Sequence, residues 1–213
     1  MRRPPAPLPQ NDEYGCVICV VANLLYMFYI HDHPNVHWVN EQLNRKVGDK
    51  QFSEPSPLLL LNQGLSVYGI SEFDNRAYIH HGIAYLKYFY RDLWNEEWDE
   101  LNTPEAVAIA QARILKLETE VAARNLSRYI ESRKPTIEDI ARLVRAGCVV
   151  DLAAREGSCA MSHAVLIYDV GSDGYFSVYD PAPDTSMTLY EMSADELIDE
   201  WDGMWLNAWW REH

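Results

Sequence analysis

A thiol near the N-terminus and an imidazole far along the chain are the residues whose types and spacing could do chemistry together. Cys16 follows Gln10-Asn11-Asp12-Glu13-Tyr14-Gly15 and opens an apolar run. His163 stands in Ser162-His163-Ala164-Val165-Leu166-Ile167-Tyr168, ahead of Gly171-Ser172-Asp173-Gly174 and a run from Tyr175 to Tyr179 that ends in Asp180-Pro181. A thiol at a helix start, a glutamine before it, a histidine opening a strand and an aspartate closing the next are the parts of a cysteine nucleophile site for acyl transfer. A free thiol has a pKa of about 8.5 and is mostly protonated near neutral pH. The positive end of a helix and a nearby imidazolium both favour the thiolate, so this placement activates a cysteine twice.

The elements that must position these groups are legible. Val17, Ile18, Val20, Val21, Ala22, Leu24, Leu25, Met27, Phe28 and Ile30 make the run apolar on nearly every face, which predicts a buried helix from Cys16 to Ile30. Asp12 or Glu13 would sit in its cap region. The backbone amide of Cys16 and the side-chain amide of Gln10 would then face a developing oxyanion. Residues 163–170 and 175–180 read as a hairpin around the glycine-rich turn. Antiparallel pairing brings His163 beside Asp180, whose carboxylate would hold one imidazole tautomer and stabilise its charged form. Pro181 ends the second strand by removing a ladder donor.

On these residues the chain resembles the bacteriocin-processing, double-glycine-leader cysteine peptidases and their stand-alone relatives, a branch of the papain-like superfamily. The resemblance rests on a Gln six residues before the Cys, a His opening a strand and an Asp-Pro closing the following one. It implies an α+β papain-like fold, with a helical first half carrying the N-terminal nucleophile helix packed on a C-terminal antiparallel sheet. It further implies Cys16 as nucleophile, His163 as general base and acid, Asp180 as orienting residue and Gln10 as oxyanion-hole residue. Weaker echoes are Phe73-Asp74, Gly82-Ile83-Ala84-Tyr85-Leu86 and Trp201-Asp202-Gly203. The family usually carries Gly directly after the nucleophile, whereas here Gly15 precedes Cys16 and Val17 follows. Its leader peptidases also usually head a membrane-spanning exporter, so a double-glycine leader is not carried over as substrate.

Composition narrows the function classes. With 213 residues, one domain over 1–213 is the expectation, and 12% aromatic content suits a folded core. A formal charge of −14 argues against nucleic acid and against an anionic membrane surface as partners. Met1-Arg2-Arg3 leads into Pro4, Pro5, Pro7 and Pro9 with no apolar core behind them, unlike a signal peptide. The apolar run at 16–30 is shorter than the roughly twenty residues of a membrane span. A cytoplasmic protein without a cofactor, acting on a peptide or protein substrate, is the resulting expectation. Cys19 and Cys148 read as buried hydrophobes and Cys159 as a spare thiol near His163. A zinc site from Cys16, Cys19, Cys159 and His163 is conceivable by residue type, but the spacings match no recurrent finger.

Along the chain, 1–9 reads as a Pro-rich arm, 76–146 as mainly helical and 148–210 as mainly sheet. Thr103-Pro104-Glu105 starts a helix expected to reach Arg133, and Pro135-Thr136-Ile137-Glu138-Asp139 opens another ending at Gly147. Ser193-Ala194-Asp195-Glu196 caps a last short helix before a final strand from Met204 to Trp210. His31, His33 and His37 read as a polar helix exit, and His80 and His81 as alternative bases by type alone. The aromatic set from Tyr78 to Tyr90 suits a helix packed on a core. The function expected is a cysteine peptidase-like hydrolase. The alternatives are a catalytically silent binding protein on the same fold, and an acyltransferase or amidase using the same thioester.

Overall fold

The structure, a computed structural model, describes residues 2–10, 15–46, 55–91, 94, 96–155, 162–181 and 188–212. The first half runs α1 (Cys16–Met27), α2 (Val36–Gln42), α3 (Pro55–Asn62), β1 (Ser66–Ser71), α4 (Asn75–His81), α5 (Ile83–Phe89), α6 (Glu96–Leu101) and α7 (Pro104–Arg124). The second runs β2 (Arg128–Glu131), α8 (Ile137–Arg145), β3 (Val149–Arg155), β4 (Ser162–Val170), β5 (Phe176–Tyr179), β6 (Leu189–Met192), α9 (Ala194–Glu200) and β7 (Trp201–Trp210). Among the described residues these strands form one sheet in the order β2-β1-β7-β3-β4-β5-β6. The protein is therefore α+β, with a mostly antiparallel sheet.

Both faces of the sheet are covered. On one, Leu166, Tyr179, Val149 and Trp209 pack with the apolar residues of α1 and with Leu60 and Leu61 of α3. On the other, Val165, Ile167, Val178 and Leu152 pack with Ile140, Leu143 and Val144 of α8 and Leu197 of α9. Two-sided burial explains why β3 and β4 read as continuous apolar runs. One carboxylate interrupts β3: Asp151 accepts from Trp209 Nε1 at 2.7 Å and from Asn207 Nδ2 at 3.4 Å, and burial pushes it up to about 6.

Three expectations need correcting. The buried helix stops at Met27 and not at Ile30, because Tyr29 turns left-handed with φ 57°. Its amide bonds to Tyr26 O at 3.1 Å while that of Ile30 bonds to Leu25 O at 2.9 Å, the paired closure of a Schellman end. The helix from Pro104 ends at Arg124, because Asn125 takes the left-handed conformation at φ 49° and ψ 47°. The stretch 76–146 therefore contains a strand, β2, and β2 pairs parallel with β1, so the sheet is not wholly antiparallel.

The cap readings agree with the structure. Thr103 accepts from the Ala106 amide, and Thr136 with Asp139 and Ser193 with Glu196 close capping boxes on α8 and α9. The Arg133 guanidinium grips Asp139 at 2.5 and 2.7 Å and holds its carboxyl far below the usual carboxylate range. The aromatic set forms a satellite core, in which Tyr78, Leu86, Val107, Ala110 and Ile114 are buried against Phe73, Tyr85 and Tyr90. His80 and His81 stand exposed in the last turn of α4, which packs on α5 and α7. No helix among the described residues is long and apolar enough to cross a membrane.

Candidate active site

Pairing register decides whether His163 can meet Asp180. Beyond the turn, β4 and β5 pair Val170 with Phe176 and Asp169 with Ser177. The register then shifts, and Ile167 pairs with Val178 and Leu166 with Tyr179. Tyr168 is the extra residue, a one-residue bulge on β4. Continued from Leu166 and Tyr179, this register sets Asp180 opposite Val165, two positions from His163 and on the same face. Without the bulge Asp180 would lie opposite Leu166 and face away from His163, since a slip of one residue exchanges the two faces of a strand.

The contacts follow from that parity. His163 Nε2 lies 2.5 Å from Asp180 Oδ1, and both side chains are largely buried. Binding through Nε2 leaves Nδ1 for the thiol, and the Cys16 sulfur is within hydrogen-bonding reach of the imidazole. Helix α1 packs on the opposite face of the sheet, so thiol and imidazole meet at the end of β4, where His163 is the second residue. Burial alone would pull the histidine down, but Asp180 and Cys16 outweigh it and hold the imidazolium up to about 10.

Around the thiol, Gly15 caps α1 with no side-chain hydrogen bond. The first bond into the helix is the Cys19 amide to Gly15 O at 3.0 Å. The amides of Cys16, Val17 and Ile18 therefore have no partner within the helix, which suits them to a developing negative charge. Asp12 and Glu13, the expected cap acids, lie outside the described residues. Gln10 is buried, and its amide bonds to Pro181 O at 2.7 Å, which brings it beside the Asp180 strand end. Its Oε1 has no hydrogen-bond partner among the described residues. The structure thus gathers Cys16, His163 and Asp180 in contact and ties Gln10 to the residue following Asp180.

Sequence reasoning missed Tyr190. Its hydroxyl donates to Asp180 Oδ2 at 3.3 Å, and burial followed by the Asp180 charge pushes its own ionisation well above the usual phenol range. Tyr190 pairs with Val178 across β5 and β6, which points it to the face of His163 and Asp180. The available signal was the Leu189-Tyr190-Glu191-Met192 alternation after the Asp-Pro, which reads as a third strand of the meander. Tyr190→Phe is expected to slow acylation of Cys16 by p-nitrophenyl acetate by about fivefold, the equivalent of a net hydrogen bond of ~1 kcal/mol. Stopped-flow release of nitrophenolate measures it, and an unchanged rate would mean that the hydroxyl does not restrain the carboxylate.

Cys16, Cys19 and Cys148 are free thiols, and Cys159 lies outside the described residues. Among the described residues no group of three or more His, Cys, Asp or Glu is arranged to hold a metal ion. His31 packs edge-on against Trp38 and His37 pairs with Glu41 at 3.1 Å, which accounts for two members of that histidine patch. A cavity of about 1130 Å³ among Arg2, Phe28, Tyr68, Arg142 and Trp210 opens at the far end of α1 from Cys16 and does not serve the site. No protein-family model matches the chain, and no curated protein does.

Proposed function

We propose that this protein is a cysteine-dependent acyl-transfer hydrolase of papain-like architecture, acting on peptide or amide bonds. The observation that carries the reading is the continuous chain of contacts from the Cys16 sulfur through the His163 imidazole to the Asp180 carboxylate. A buried nucleophile helix followed by a mostly antiparallel sheet, with the histidine opening one strand and the aspartate closing the next, supports the architecture.

The chemistry runs as follows. His163 takes the Cys16 proton, and the thiolate sulfur attacks the substrate carbonyl. The carbon–oxygen π pair moves onto oxygen, where the first-turn amides of α1 and the Gln10 side-chain amide stabilise it. As the carbonyl re-forms, the carbon–nitrogen bond breaks and the imidazolium protonates the departing amine. Water, deprotonated by His163, then attacks the thioester carbonyl, and the carbon–sulfur bond breaks to release the acid and restore the thiol. Asp180 keeps the imidazole aligned throughout and stabilises its cationic form.

Iodoacetamide labelling at pH 6, read cysteine by cysteine by mass spectrometry, tests this. Cys16 should be alkylated much faster than Cys19, which is buried, and Cys148, whose thiol burial pushes up. Slow labelling of Cys16 at the rate of an ordinary thiol would replace the enzyme by a non-catalytic binding protein on the same architecture.

A further inference from the structure

We propose that residues 2–10 form a stiff strap that sets the position of Gln10 at the thiol, with Asn23 and Tyr179 as its anchors. This rests on the reading of Cys16 as nucleophile and Gln10 as oxyanion donor.

The strap is built from what proline lacks. Pro4, Pro5, Pro7 and Pro9 carry no N–H and hold φ near −65°, so most of the arm is pre-extended and needs no hydrogen-bond donors satisfied. Three of the remaining donors serve as tie points. The Arg3 amide bonds to Met27 O at 2.9 Å, the Ala6 amide to Asn23 Oδ1 at 2.8 Å and the Gln10 amide to Pro181 O at 2.7 Å. Tyr179 Oη donates to Leu8 O at 2.5 Å from the same face of the sheet as α1. At its start the arm is clamped by Arg2, which donates to Gly147 O and Tyr168 O, and by Arg3, whose guanidinium lies 4.9 Å and 4.3 Å from the Tyr26 and Tyr29 rings.

These ties run antiparallel to α1. Arg3 sits at the end of the helix and Ala6 at its middle, and Gln10 arrives at the level of its start. From Arg3 to Gln10 a polyproline-like chain covers about 22 Å, at ~3.1 Å per residue. The helix from Met27 back to Cys16 covers about 16 Å, at ~1.5 Å per residue. The rod therefore reaches just past the helix N-terminus. Asn23 is the telling residue: fully buried in the middle of an apolar helix, it binds the arm through Oδ1 and lies against the Tyr179 hydroxyl. A buried amide in that position costs stability unless it is partnered, and here the arm partners Oδ1 while Nδ2 makes no hydrogen bond among the described residues. Because proline leaves little freedom to lose, the strap fixes Gln10 at a small entropic cost.

Two reactions of one thiol separate positioning from folding. Acylation by p-nitrophenyl acetate passes through an oxyanion, whereas alkylation by iodoacetamide does not. Gln10→Ala is expected to slow acylation by about 10²-fold and leave alkylation within about twofold. Tyr179→Phe, and separately Pro7→Gly with Pro9→Gly, should each slow acylation about tenfold with alkylation likewise unchanged, by misplacing Gln10. Combining either with Gln10→Ala should add nothing to Gln10→Ala alone, the non-additivity of two changes acting through one group. The strap is overturned if these variants acylate like the wild type, if they lose both reactions equally, or if their effects multiply with that of Gln10→Ala. Wild-type acylation in Gln10→Ala would instead overturn the oxyanion role, and the strap with it.

Discussion

His163→Ala is expected to slow acylation of Cys16 by p-nitrophenyl acetate by about 10²–10⁴-fold, the usual worth of a positioned general base. The same change should abolish the preference of iodoacetamide for Cys16, because the base that would take the thiol proton is gone. Both effects have one origin: the histidine lies within hydrogen-bonding reach of the sulfur and is itself bound to a carboxylate. His80→Ala and His81→Ala, at the exposed end of α4, should change neither rate. Cys16→Ala should remove turnover altogether and leave the circular dichroism spectrum unchanged, since a partly buried residue at a helix start is truncated only by its sulfur. Rapid acylation persisting in His163→Ala would place the activating base elsewhere.

Asp180→Asn should move the alkaline limit of the reaction to much lower pH. Burial of His163 would depress its ionisation, and Asp180 with Cys16 raises it to about 10. The imidazolium thus persists across the neutral range and is lost only near pH 10. With Asn in place of the carboxylate that support falls away, and the limit should drop by about 1–3 pH units, the usual worth of an adjacent opposite charge. Stability carries the same signature. A histidine held above its ordinary value of about 6.5 stabilises the fold fully below that pH, and the contribution disappears as pH rises through about 10. Urea midpoints for the wild type should therefore decline between those limits, and Asp180→Asn should flatten the decline. An unshifted alkaline limb in Asp180→Asn would remove Asp180 from the site.

The parts of the site that were legible in the sequence are those that depend on local patterns. A long run apolar on nearly every face reads as a buried helix, and a Gly-Ser-Asp-Gly turn between two strand-like runs reads as a hairpin. Caps at Thr103, Thr136 and Ser193 were readable because a capping hydroxyl acts within one turn. The ends of α1 and α7 were not, because Tyr29 and Asn125 terminate them by adopting left-handed conformations that no residue type compels. Nor was the placement of β1 and β2, short strands among helices whose edges find partners only in β7 and in each other.

Sequence by itself determined which side chain types stand at which element ends: a thiol at a helix start, an imidazole opening a strand, a carboxylate closing the next, and a proline arm leading to a glutamine. Tertiary structure decided whether they meet. The bulge at Tyr168 exchanges the faces of β4 relative to β5 and so turns Asp180 toward His163. The third strand of the meander brings in Tyr190 from ten residues further on, and Asn23 and Tyr179 hold the arm along α1. Residue type is local chemistry, but facing is a property of register, and register is settled only when strands pair.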